Sequence, residues 1–170
     1  AQPVLAVSGS KNTGKTWLLE HLVSILGGAG VRAAVIKHDG HEFEADVPGT
    51  DSHRMKKAGA FGTVVYSGTR FALVKDQAGL EARDLFGYFP EADILLLEGQ
   101  KNSAYPKIEV LRQEISCSPV CSPETVLAYV ADCQVSQQGS REPRQVFAFD
   151  QLDEVAELVI HHMDAVFFKN

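Results

Sequence analysis

The chain has 170 residues, 16 Lys plus Arg against 22 Asp plus Glu, and a formal net charge of -6, with 45% hydrophobic and 22% charged residues. That composition excludes a chain disordered throughout, and the negative balance repels phosphate backbones at long range, which excludes a general nucleic-acid binder. No run reaches the roughly 18 apolar residues of a membrane span, and the odd count of three cysteines without C-x-x-C spacing argues against a disulfide framework or a four-thiolate zinc site, hence for a cytoplasmic, reduced protein.

Residues 4–7 are a short apolar run ending at Ser8-Gly9, as expected of a strand buried on both faces. From Lys15, the spacing of Leu18, Leu19, Leu22, Val23, Ile25 and Leu26 predicts a helix stopped by Gly27, Gly28 and Gly30, and residues 31–36 predict a second strand. Strand, helix and strand in so short a span make a βαβ unit and imply a parallel sheet. Residues 37–49 are polar, without apolar period, and read as a loop beyond the carboxyl end of the second strand. Thr50 or Asp51 caps a short helix through Ala58, and residues 63–66 and 71–74 form a hairpin around 67–70, which makes the expected sheet mostly parallel but partly mixed. Residues 80–89 predict a helix ended by Pro90, 94–97 the most hydrophobic and therefore a central strand, and 108–111, 126–130 and 146–149 three more strands. Asp150 then caps a terminal helix with Leu152, Val155, Ala156, Val159 and Met163 on one face. The whole, residues 1–170, reads as a single α/β domain.

Gly9-Ser10-Lys11-Asn12-Thr13-Gly14-Lys15-Thr16 matches G-x-x-x-x-G-K-S/T between a buried strand and a helix, where that phosphate-binding loop belongs. Gly9 and Gly14 allow the backbone to turn its amides inward onto an anion, and the helix start adds its unpaired N–H groups and positive dipole end. Lys15 brings a compact charge to the outer phosphates, and the Thr16 hydroxyl completes the shell of a bridging Mg²⁺. Glu98, directly after the apolar run 94–97, is the second acid such a metal needs, while Asp93 caps the opposite end of that strand. The loop after the second strand holds His38, Asp39, His41, Glu42, Glu44 and Asp46 in reach of the γ-phosphate side, as switch-like loops are; His38-x-x-His41 is a weak alternative metal pair. Asp132, just past the strand at 126–130, stands where an acid would meet a guanine edge.

Residues 4–16, Ile36-Lys37-His38, Pro48-Gly49-Thr50-Asp51-Ser52, Lys57-Ala58-Gly59-Ala60, residues 93–101 and Pro106-Lys107-Ile108-Glu109 together resemble the MobB family, the adapter proteins of molybdopterin-guanine dinucleotide biosynthesis. The likeness covers about the first two-thirds of the chain and fades beyond Arg112; one departure is Asn12, where many members have glycine. The resemblance implies a P-loop NTPase-like three-layer α/β sandwich and a homodimeric GTP-binding protein of weak Mg²⁺-dependent GTPase activity. It would act beside the guanylyltransferase that joins GMP to molybdopterin, touching molybdopterin itself at most indirectly. Carried over by position, Gly9 to Thr16 bind phosphates, with Lys15 and Glu98 as the catalytic pair and Thr16 and Glu98 at the Mg²⁺. His38, Thr50, Asp51, Ser52, Lys101 and Lys107 would line the nucleotide pocket. A small-molecule kinase is the alternative for the same loop, though it needs an Arg-rich lid that the sequence does not display. No evident water-positioning glutamine stands beside the loop, so turnover is expected to be slow.

Overall fold

In chain order the elements are β1 (Val4–Ser8), α1 (Lys15–Gly28), β2 (Ala33–Lys37), α2 (Asp51–Lys57), β3 (Gly62–Tyr66), β4 (Phe71–Lys75), a 3-10 helix (Ala82–Tyr88), β5 (Ile94–Glu98), β6 (Lys107–Leu111), a 3-10 turn (Pro123–Thr125), β7 (Val126–Ala131), β8 (Gln145–Phe147) and α3 (Leu152–Phe167). The structure, a computed structural model, describes residues 2–41, 43–139 and 142–167, so Glu42 lies outside the described residues. The chain divides into two compact units, Ala1–His38 with Ala82–Asn170, and Asp39–Glu81.

The first unit is built on a six-stranded sheet in the order β2-β5-β1-β6-β7-β8, with every neighbouring pair parallel. The α/β architecture expected from the βαβ pattern is therefore present. β5 is an interior strand one place in from the β2 edge, while β1 and β6 hold the middle. Apolar runs rather than alternation mark these strands because both faces are covered. On one face Leu5, Val7, Ile94, Leu96, Ile108 and Val110 pack against Leu18, Leu22 and Leu26 of α1 and Val155, Val159 and Met163 of α3. On the other, Ala6, Ile36 and Leu97 lie under Leu85, Phe86 and Tyr105, and Leu111, Val126 and Tyr129 surround Cys121. The cover over Ala6 and Leu97 is the 3-10 helix, in place of the α-helix that residues 80–89 predict; Pro90 and Gly87 leave too few residues for three α-turns.

Two further expectations are corrected. The hairpin does not mix the main sheet: β3 and β4 form a separate two-stranded antiparallel sheet in the second unit. Cys117 and Cys133, expected to be reduced, form a disulfide, because the parallel pairing of β6 with β7 brings the chain just past their two carboxyl ends together; Cys121 is a buried free thiol. Among the described residues no helix is long and apolar enough to cross a membrane.

The end of α1 shows how local chemistry sets the βα register. The Val31 amide donates to Leu26 O (2.9 Å) and that of Gly30 to Gly27 O (3.0 Å), with Gly30 at φ +80. This is a Schellman cap, in which a left-handed residue turns the chain into β2 while Val31 packs into the same cluster as Leu26. A Cβ at Gly30 would meet no atom within 4 Å, so only the backbone conformation opposes a side chain there. Gly30→Ala should cost about 1 kcal/mol and lower the melting temperature by about 2–4 °C in differential scanning calorimetry, with no change in far-ultraviolet circular dichroism.

Candidate functional site

Parallel pairing puts the carboxyl ends of β1, β2, β5 and β6 along one edge, which is where open α/β sheets bind ligands. The loop after β1 and the amino end of α1 lie there. Gly9 is at φ +138, and a Cβ on it would come within 2.4 Å of Val110 O in β6. Asn12 also takes a left-handed conformation (φ +65), which the short amide side chain tolerates better than other non-glycine residues. Ser10 O is the internal pin: it accepts hydrogen bonds from the buried Thr13 Oγ1 (3.1 Å) and from Lys15 Nζ (2.6 Å). The ammonium thus spans the mouth of the loop.

Beside it the Thr16 hydroxyl donates to Glu98 Oε1 at 2.9 Å. Glu98 is the last residue of β5, and its backbone carbonyl accepts the His38 amide (3.4 Å), which links β2 to the same edge. Burial lowers the Lys15 ammonium below the ordinary lysine value; Glu98 opposes that shift, and Lys101 and Lys37 add to it. Lys37 and Lys101 thus place further positive charge near the Lys15 ammonium, an arrangement suited to an anion. Gly99 (φ +95) and Gln100 (φ +60) turn the chain sharply after Glu98, carrying Lys101 over the same edge.

Lys107 has a different place. It opens β6 fully buried, and its ammonium donates to Gln100 O (3.3 Å), Ser103 O (2.7 Å) and Ser103 Oγ (3.4 Å). It pins the turn that presents Lys101, and burial lowers its pKa against the opposing pull of Cys121 and Glu109. Ser8 performs a similar service, its buried hydroxyl donating to Gly99 O. Glu109, also fully buried, accepts the Val120 amide (2.6 Å) and the Cys121 amide (3.3 Å).

Thr50, Asp51 and Ser52 belong to the second unit and meet one another at the start of α2. Thr50 Oγ1 accepts the His53 amide (3.5 Å) and donates to Val47 O (2.8 Å), Ser52 Oγ donates to Asp46 Oδ1 (3.0 Å), and Asp51 pairs with Arg54 across 3.6 Å. His38 and His41 are exposed, and among the described residues no three His, Cys, Asp or Glu side chains are grouped to hold a metal. Asp132 is exposed but held by its own chain: Oδ1 accepts the Gln113 amide (2.7 Å) and Oδ2 lies 3.8 Å from Arg112.

Arg112 escapes the motif reading. Its Nε donates to Thr13 O in the loop after β1 (3.3 Å) and its guanidinium lies 4.0 Å from the Phe149 ring centre. The rule that found Glu98, a charged residue at the carboxyl end of a buried apolar run, applies equally to Arg112, the first residue after β6.

The family model of MobB, described as molybdopterin guanine dinucleotide synthesis protein B, matches residues 4–132. The chain belongs to the MobB family. Two relatives named molybdopterin-guanine dinucleotide biosynthesis adapter protein are similar to it. That of Escherichia coli K12 is 37% identical over 115 residues, 65% of this chain and 66% of the relative. That of Haemophilus influenzae Rd is 36% identical over 117 residues, 67% of this chain and 66% of the relative. The matched stretch thus spans just under two-thirds of each relative's length. The crystal structure of Bacillus subtilis MobB superposes with a TM-score of 0.74 at 26% identity, covering 94% of this chain and 97% of that one. The family model covers the 9–16 loop, Glu98 and Lys107, and the likeness to the Bacillus subtilis MobB fold extends over 94% of the chain.

Gly9→Ala tests the loop directly. The added methyl meets a β6 carbonyl in a conformation that L-residues avoid, so the variant should lose about 2 kcal/mol or more and about 4–8 °C in melting temperature. A melting curve superimposable on the wild type would show that the loop does not need this geometry.

Proposed function

We propose that this protein is a GTP-binding adapter of molybdopterin-guanine dinucleotide biosynthesis that hydrolyses GTP slowly and works beside the guanylyltransferase that joins GMP to molybdopterin. The observation that carries the reading is the Thr16–Glu98 hydrogen bond at 2.9 Å beside Lys15, at the mouth of a preformed phosphate loop. Membership of the MobB family and the adapter names of its relatives support the pathway. Contact with molybdopterin would then be through the enzyme partner, in the cytoplasm.

The phosphate tail would sit on the loop amides and the first turn of α1, with Lys15 leaving Ser10 O to meet it. A hydroxyl and a carboxylate oxygen are hard donors, so Thr16 and Glu98 would be the residues that hold a Mg²⁺ ion. When bound there, magnesium neutralises charge on the phosphate oxygens. Glu98 orients the Thr16 hydroxyl, and Lys37 and Lys101 add positive field on the open side. Charge stabilisation without a positioned water yields slow turnover, as an adapter that holds its nucleotide requires. Lys15→Ala should weaken Mg·GTP binding by at least about 100-fold in isothermal titration, whereas Glu98→Gln should slow hydrolysis and flatten its Mg²⁺ dependence while binding changes far less. ATP stabilisation in place of GTP, with phosphoryl transfer to an added acceptor, would turn the assignment to a kinase.

The homodimer is proposed on a separate surface. Val64, Tyr66, Phe71 and Leu73 share one face of the β3–β4 hairpin by their register, and all four are exposed. Such a contiguous apolar face on a soluble protein marks an association site. Tyr66→Lys should convert a dimer to a monomer in sedimentation equilibrium while leaving Mg·GTP affinity at wild-type strength.

A further inference from the structure

The peptide between Thr13 and Gly14 is a rigid plane whose carbonyl and N–H point in opposite directions. Arg112 Nε grips that carbonyl at 3.3 Å, so the Gly14 amide at the other end of the plane is directed away from the guanidinium. Gly14 is one of the two loop glycines, and its amide is among the donors that a phosphate would use. Were it any other residue, its Cβ would stand 3.1 Å from an Arg112 nitrogen. The loop and this arginine are therefore fitted to each other.

Arg112 is itself held on several sides. Phe149 stacks under the guanidinium at 4.0 Å, and Asp132 Oδ2 lies 3.8 Å from its Nη1. Asp132 is fixed in turn by the Gln113 amide at 2.7 Å. Residues 112–116 form a tight turn, with the Ser116 amide on Arg112 O (2.8 Å) and the Arg112 amide on Ser116 O (3.3 Å). The next residue, Cys117, is bonded to Cys133, the neighbour of Asp132. The disulfide thus closes the turn bearing Arg112 onto the strand end bearing its acid. Donating through Nε, pairing through a terminal nitrogen and stacking through the flat face at once is a task for a guanidinium and not for a lysine.

We propose, on the nucleotide-site reading above, that Arg112 is a positioning residue of the phosphate loop and that the Cys117–Cys133 disulfide keeps it in place, so that reduction by a dithiol weakens phosphate binding. The exchange balances simply. A dithiol thiolate attacks one sulfur and forms a mixed disulfide; its second thiol releases Cys117 and Cys133 as two thiols, and the dithiol leaves as a disulfide with two electrons and two protons passed to the protein. Both cysteines are partly exposed and so open to attack. Cys121 stands apart, because burial, with Glu109 adding to it, pushes its thiol up to about 12 and leaves almost no thiolate to take part.

The test is isothermal titration of Mg·GTP and of Mg·pyrophosphate into oxidised protein and into protein reduced with dithiothreitol. Reduction should weaken both ligands about tenfold, and Cys117→Ser should match the reduced wild type with or without the dithiol. Arg112→Met and Arg112→Lys should bind about tenfold more weakly and lose the response to reduction, a signature that a merely stabilising residue would not give. Binding by the wild type that is equal in the two redox states, or an Arg112 variant that is weakened yet still responds to the dithiol, would overturn the latch alone. Failure of the oxidised wild type to bind either ligand would overturn the nucleotide reading itself. If Arg112→Met does not fold, Arg112→Lys and Cys117→Ser carry the same comparison.

Discussion

Parallel pairing of β1 with β5 on one side and β6 on the other is the constraint from which the rest of the site follows. Three strands running the same way end at one edge, and each contributes what lies just past its last buried residue. From β1 comes the 9–16 loop, from β5 the Glu98 carboxylate, from β6 the Arg112 guanidinium. An antiparallel partner in either position would have sent one of these groups to the opposite end of the sheet. Register matters as much as direction, since Val7 opposite Glu98 and Ile108 brings Gly9 against the Val110 carbonyl.

The non-helical face of this sheet carries an unusual load for a core. Lys107 and Glu109 are both fully buried there, two residues apart on β6. Neither is stabilised mainly by the other. Lys107 donates hydrogen bonds to carbonyls of the turn after β5, and Glu109 accepts them from amides of the segment that enters Cys121. Buried groups that bond to backbone in this way, Lys107 through its ammonium and Glu109 through Oε1, tie down loops that have no ladder of their own. The two residues are therefore better understood as internal supports, one under the Glu98–Lys101 turn and one under the loop before β7.

Features written in local chemistry were legible in the sequence. The glycine and lysine spacing of residues 9–16 and the apolar period of α1 act within one turn of backbone, and the structure reproduces them. Features that depend on where two distant segments meet were not. Residues 63–66 and 71–74 announce that they pair with each other but not whether they also join another sheet. Lys107 reads as a polar residue before a strand because its partners are main-chain oxygens, which leave no mark on sequence. The Cys117–Cys133 bond arises from the parallel pairing of β6 with β7, so an odd cysteine count could not reveal it. Arg112 could have been found by the strand-end rule; the motif simply drew attention elsewhere.

The strand order also sets a timetable for the nascent chain. β1 touches neither β2 nor any other strand made before residue 94, and β2 likewise waits for β5. As the polypeptide leaves the ribosome, the first βαβ segment has its helix but no ladder, and it must stay unpaired while residues 38–93 are synthesised. Arrival of residues 94–98 then zips both strands at once, a closure whose entropic cost rises only slowly with the length of the intervening segment but whose delay grows with every residue added. Lengthening the 39–81 insertion would thus tax the birth of the protein far more than the stability of the finished molecule.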